Sequence, residues 1–189
     1  MAHSSPDASP WVSRFASLIP QGRTLDLACG SGRHSRLLLA LGHSVLAVDR
    51  DAAALESLVG AGIETKQFDL ENEGADQESG GPLSPSSYSG VVVTNYLHRP
   101  LMDALLASVV PGGVLIYETF AQGNGQFGKP ANPDFLLASG ELLDRVCRAG
   151  GWHVIAFEDG YVSTPKPAMI QRICARRGGP ELGPVDVAI

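Results

Sequence analysis

Short apolar runs alternate with amphipathic stretches along most of the chain, and the alternation predicts strands and helices in turn. The runs Thr24–Leu27, Ser44–Val48, Gly90–Thr94 and Val114–Tyr117 read as strands, and the more polar segment Glu64–Phe68 as a further one. The β-branched run Gly90-Val91-Val92-Val93-Thr94 suits a central parallel strand buried on both faces. Between them, Arg33–Leu41, Ala52–Val59 and Leu101–Val110 carry helical spacing. Asp51 is placed to cap the second of these helices, and Pro111-Gly112-Gly113 reads as the stop after the third. Upstream, Ser9-Pro10 opens a helix whose Trp11, Phe15 and Leu18 fall on one face.

The last third departs from this rhythm. Ser139 precedes a helix over Gly140–Arg148, stopped by Gly150-Gly151. Two apolar runs then follow, Trp152–Phe157 and Ala168–Ala175, with only the turn Gly160–Pro167 between them. Adjacent strands joined by a turn pair antiparallel. The pattern therefore predicts an α/β fold: a parallel five-stranded sheet with helices on both faces, finished by an antiparallel hairpin. Asn72–Ser89, polar and rich in Gly, Ser and Pro, reads as a mobile loop, and the tail over 178–189 as unstructured.

The chemistry concentrates in TLDLACGSGRHS, Thr24–Ser35, where an apolar run leads through an acid into a glycine-rich turn and a helix start. The amides of such a turn and the positive end of the following helix accommodate polar groups of a nucleotide. A dinucleotide fingerprint requires Gly-x-Gly-x-x-Gly; here Gly30 and Gly32 are followed by Ser35 at the third glycine position. Asp49 ends the second strand 17 residues beyond Gly32, close to the place of a ribose-binding acid.

The order Asp26-x-Ala28-x-Gly30-x-Gly32 resembles the signature of class I S-adenosylmethionine-dependent methyltransferases, with Ala28 where that family has its first glycine. The antiparallel finish agrees with that family and differs from a six-parallel-strand dehydrogenase. The resemblance covers roughly Leu25–Arg177, and in size and motif wording is similar to the small tellurite-resistance-type branch. It implies a Rossmann-like three-layer αβα sandwich with a seven-stranded, mostly parallel sheet, in one domain over 1–189 whose core spans about 24–177. It also implies S-adenosylmethionine as cofactor and S-adenosylhomocysteine as product.

On these positions the resemblance assigns Ala28, Gly30 and Gly32 to the methionine end, Asp49 with Arg50 to the ribose, Asp69 with Leu70 to the adenine, and Asn95 to the cofactor wall. Asp26 orders the loop or meets the methionine ammonium. The fourth strand runs into Asn95-Tyr96-Leu97-His98-Arg99-Pro100, beside the acceptor in this family. His98 is the candidate base, histidine being the side-chain type most used for proton transfer near neutral pH, and Tyr96 the residue facing the methyl group. Arg99, Glu118, Phe127 and Lys129 complete the expected acceptor pocket. Glu118 is equally suited to meet an arginine of the protein, and Ala121–Asp134 is expected as a lid.

Composition narrows the partners. With 189 residues, 44% of them hydrophobic, the chain can bury one sizeable core, and no apolar run approaches the ~20 residues of a membrane span. The opening MAHSSPDASP has no signal-peptide core, so the expected compartment is the cytoplasm. A net charge of −6 removes the basic footprint of a nucleic-acid binder and favours a small-molecule acceptor. Cys29, Cys147 and Cys174 have neither disulfide nor zinc spacing, Cys29 reads as a packing residue, and the five histidines suggest no metal site. Two other classes remain: a non-catalytic cofactor-binding or interaction protein, and an NAD(P)-dependent oxidoreductase.

Overall fold

In the computed structural model, which describes residues 7–72 and 81–178, seven strands form one sheet in the order β3-β2-β1-β4-β5-β7-β6. The strands are β1 (Arg23–Leu27), β2 (Ser44–Asp49), β3 (Glu64–Gln67), β4 (Tyr88–Thr94), β5 (Val109–Phe120), β6 (Trp152–Val162) and β7 (Ala168–Arg177). The first five run parallel, and β7 lies antiparallel between β5 and β6. The Rossmann-like sheet with its antiparallel finish is thus as expected. Strand order reverses between β1 and β4, so the carboxyl ends of these two strands flank the crevice where open α/β sheets bind ligands.

Residue alternation builds two cores. Leu25, Leu27, Val91, Val93, Leu115, Tyr117 and Ile173 face α4 (Met102–Ser108) and α5 (Glu141–Ala149). Ala47, Val92, Ile116 and Cys174 face α1 (Pro10–Phe15), α2 (Arg33–Ala40) and α3 (Ala52–Glu56). Ser9 caps α1 and Asp51 caps α3, the latter accepting from the amides of Ala53 and Ala54. Each cap satisfies amides that a helix start leaves without intrahelical partners.

Pro111-Gly112-Gly113 corrects the sequence reading. The helix ends at Ser108 and the chain is already extended from Val109, so these residues lie inside β5. They form a bulge: Tyr88 pairs with Val109, but Gly90 pairs with Val114. A Cβ on Gly113 would stand 2.8 Å from the Ser89 carbonyl oxygen, so only glycine allows the two strands to close there. Residues 73–80 of the expected mobile loop and residues 179–189 of the expected tail lie outside the described residues. The rest of the loop is held, with the Tyr88 hydroxyl donating to the Pro82 carbonyl at 2.5 Å.

Candidate functional site

At the carboxyl ends of β1–β4 lies a cavity of about 240 Å³, lined by Ala28, Asp49, Arg50, Phe68, Asp69, Leu70, Glu71, Asn95 and Tyr96. Six of the residues assigned to the cofactor in the sequence meet here, together with Tyr96. Phe68 and Glu71 were missed; their only signal was adjacency to Asp69-Leu70. Two non-glycine residues on the wall have left-handed backbones, Ala28 at φ 54° and Asn95 at φ 55°. Conformations of this kind cost free energy and cluster at functional sites.

Asp49 organises the crevice. One carboxylate oxygen accepts from the Gly30 amide at 2.7 Å and the other from the Asp51 amide at 3.0 Å. An ionised carboxylate offers about four lone-pair sites, so both oxygens retain acceptor capacity. Gly30 itself, at φ 54°, has open space where a Cβ would stand. At Gly32, by contrast, a Cβ would meet the Leu58 side chain at 2.5 Å, and φ is 76°. Glycine is needed there for packing and backbone together.

Asp26 lies beneath the loop and does not line the cavity. It is 1% exposed, and its carboxylate accepts the Ser35 hydroxyl proton at 2.6 Å. Burial raises its pKa to about 6 against the hydrogen bonds from Ser35. The serine at the third glycine position of the fingerprint is thus the partner of the buried acid. Cys29 donates to the Gly30 carbonyl, and burial pushes its thiol pKa up, away from nucleophilic use.

Several expected pocket residues are committed elsewhere. Arg99 forms a two-pronged ion pair with Glu141, at 2.8 and 2.9 Å, and donates to the carbonyls of Asp134 and Leu136. It anchors the 121–137 segment instead of facing the cavity. Glu118 takes the internal alternative: its carboxylate accepts from the Ser9 hydroxyl at 2.7 Å and pairs with Arg172 at 3.3 Å. Phe127, 43% exposed, tilts against Tyr161 with ring centroids 5.1 Å apart, and Lys129 is also exposed. His98 is half-buried ahead of a 3₁₀ turn over Arg99–Leu101 and does not line the cavity.

The segment expected as a lid is pinned in its middle as well as at its end. Asn124, buried, donates to the Pro130 carbonyl and accepts from the Met169 amide. Hinged closure needs a segment free between its ends, and these bonds describe a fixed one. A larger groove of about 800 Å³ lies between α4 and α5, lined by Asp103, Arg145, Arg148, Trp152 and Arg177 among others, and shares no residue with the crevice. Among the described residues no group of three or more His, Cys, Asp or Glu is placed to hold a metal ion, and no helix is long and apolar enough to cross a membrane.

The tellurite resistance protein TehB supplies the family model that matches, over residues 8–77. That stretch contains the glycine loop, Asp49 and Asp69. No match was found among curated protein sequences. The crystal structure of TehB from Haemophilus influenzae superposes with a TM-score of 0.69 at 20% identity, covering 88% of this chain and 61% of that one. The chain therefore spans under two thirds of the length of that protein. An S-adenosylmethionine-dependent methyltransferase from Mesorhizobium loti gives 0.67 at 17% identity, with 90% and 98% covered. A 1,6-didemethyltoxoflavin-N1-methyltransferase from Burkholderia thailandensis, solved with its acceptor and S-adenosylhomocysteine, gives 0.61 at 18%, with 89% and 76% covered. The fold is the Rossmann-like fold of these methyltransferases, and the TehB match bears out the resemblance to the tellurite-resistance-type branch.

Proposed function

We propose that the chain is an S-adenosylmethionine-dependent methyltransferase acting on a small-molecule acceptor. One observation carries the reading: Ala28, Asp49, Asp69, Asn95 and Tyr96, from four separate strand ends, line one cavity beside the glycine loop. The family match over that stretch and the bound S-adenosylhomocysteine in the Burkholderia structure support it. At about 240 Å³ the cavity is smaller than the roughly 300–1,000 Å³ that encloses a drug-sized ligand. It would suit the adenosine portion, with the methionine portion left to the glycine loop beside the cavity.

The residues fit such a molecule. Asp49 retains lone pairs for a ribose diol while holding the loop through Gly30. Asp69 already accepts from the Glu71 amide at 3.0 Å through Oδ1, which leaves its other oxygen for an exocyclic amine. Phe68 and Leu70 supply apolar walls. When bound, the cofactor supplies an electrophilic methyl group on a sulfonium. The chain's own task is to align an acceptor in line with it and to exclude water. Asn95 and Tyr96 stand at the β4 end for this purpose.

Calorimetric titration with S-adenosylmethionine and S-adenosylhomocysteine, with NADH and NADPH as controls, tests the reading. Micromolar binding of the first pair alone is expected, and Asp49→Ala should weaken it about 100-fold while the chain stays folded. Binding of NADH alone would overturn the assignment. Unchanged affinity in the variant would remove Asp49 from the site.

A further inference from the structure

A row of polar side chains crosses four strands just below their ends. Thr94 on β4 pairs with Glu118 on β5, Glu118 with Arg172 on β7, and Arg172 with Glu158 on β6. Directly paired residues project from the same face of a sheet. This face is the one that α1 and α2 cover, so part of the row is taken out of water: Thr94 is 8% exposed, and the Glu118 and Arg172 side chains 14% and 20%. Polar groups so placed require partners, and the N-terminal segment supplies them.

Ser9 and Trp11 meet the row directly. The Ser9 hydroxyl donates to Glu118, and Trp11 lies under the Arg172 guanidinium at 4.7 Å while its indole N–H donates to the Ile173 carbonyl. The third contact passes through His34, which is 1% exposed. The Ser9 amide donates to His34 Nε2 at 3.1 Å, so the ring proton sits on Nδ1, 3.4 Å from the Thr94 hydroxyl. The next residue after Thr94 is the left-handed Asn95, whose amide donates to the Glu118 carbonyl at 2.9 Å. Asn95 and Tyr96 then form the cavity wall.

We propose that Ser9 and His34 are positioning residues: they clasp α1 to the ends of β4 and β5 and thereby set where Asn95 and Tyr96 stand against the ligand. The clasp makes α1 part of the binding site without touching the ligand itself. The choice of ligand rests on the methyltransferase reading; the mechanical link does not. It joins three elements distant in sequence, α1, the first turn of α2 and the β4–β5 strand ends, through two side chains.

Hydrogen exchange read by mass spectrometry, together with S-adenosylhomocysteine titration, tests this on the full chain. Thr94→Val removes one hydroxyl at nearly constant volume. Exchange over residues 94–98 should rise about tenfold while α1 stays protected, and S-adenosylhomocysteine should bind about fivefold more weakly. His34→Leu should open both segments. His34→Gln, whose amide oxygen can accept from Ser9, should restore protection of α1. If Thr94→Val leaves both 94–98 exchange and affinity unchanged, the row only holds the sheet together and the proposal fails. If the wild-type chain does not bind S-adenosylhomocysteine, the cofactor reading fails instead, and the exchange pattern alone decides the clasp.

Discussion

The acids in and beneath the crevice and the partly buried acids behind β4 and β5 use their carboxylates in different ways. On the β1–β3 side Asp26 takes a hydroxyl, while Asp49 and Asp69 take backbone amides. On the β4–β7 side Glu118 and Glu141 each take an arginine. An amide or hydroxyl leaves the carboxylate its charge and further acceptor sites; a guanidinium neutralises it, and at Glu141 the Arg99 fork occupies both oxygens. At Asp49 and Asp69 the first arrangement keeps acceptor sites at the cavity, at Asp26 it orders the loop from beneath, and the arginine pairs build scaffold. The electrostatic contrast follows: burial raises the Asp26 pKa to about 6 against the Ser35 hydrogen bonds and the Arg33 charge, whereas Arg99 holds that of Glu141 below the usual carboxylate range.

The largest effect that would sharpen this contrast comes from the scaffold side. Arg99→Ala leaves Glu141 half-buried without its main cation and frees the carbonyls of Asp134 and Leu136. Loss of one partner of a largely desolvated pair predicts about 3 kcal/mol of destabilisation, read as a melting temperature lower by roughly 6–12 °C for a chain of this length. Affinity for S-adenosylhomocysteine at 25 °C should stay within about twofold. Arg23→Ala, which removes the exposed Arg23–Glu64 pair, should cost only about 0.5 kcal/mol. A large loss of affinity with an unchanged melting temperature would return Arg99 to the ligand site.

Legibility in the sequence divides along the same line. The meeting of Asp49 and Asp69 beside the glycine loop was readable because strand ends and spacing are local. The commitment of Arg99 was not, and for Glu118 an arginine was one of two expected partners but not identifiable as Arg172, because the partners lie 42 and 54 residues away and meet only through cross-strand register and helix packing. Ser35 read as a missing glycine, although it is the hydroxyl that holds Asp26. Pro111-Gly112-Gly113 read as a helix stop because a bulge and a turn draw on the same residues.

Acid titration gives the next effect, and its signs oppose. His34 has a pKa lowered to about 4 by burial and by the nearby Arg33 charge, so its contribution to stability is complete above the ordinary value near 6.5 and is lost as pH falls toward 4. Asp26, raised to about 6, contributes most below 3.8 and loses that contribution as pH rises through 6. In the wild-type chain the two largely cancel between pH 6.5 and 4.5. His34→Gln removes only the first, so denaturant unfolding of this variant should show stability rising by about 2 kcal/mol from pH 7 to 4.5. A variant whose stability does not rise on acidification would show that the Asp26 carboxyl is not held above its ordinary range by burial.

The smallest effect tests Ala28, the position where the ligand side departs from the glycine pattern. At φ 54° an alanine carries a left-handed penalty of about 1 kcal/mol that glycine does not, partly offset by the greater entropy glycine has in the unfolded chain. Ala28→Gly should therefore change stability by under about 1 kcal/mol. Its methyl group, however, belongs to a residue of the cavity wall, and its removal would enlarge the cavity at the β1 end. S-adenosylhomocysteine binding should tighten about threefold in the glycine variant, within the 1–3 kcal/mol ceiling for one methylene in a fitted pocket. Weaker binding would mean that the methyl group makes a contact the ligand uses, and the β1 side would then contribute shape as well as hydrogen-bond acceptors to recognition.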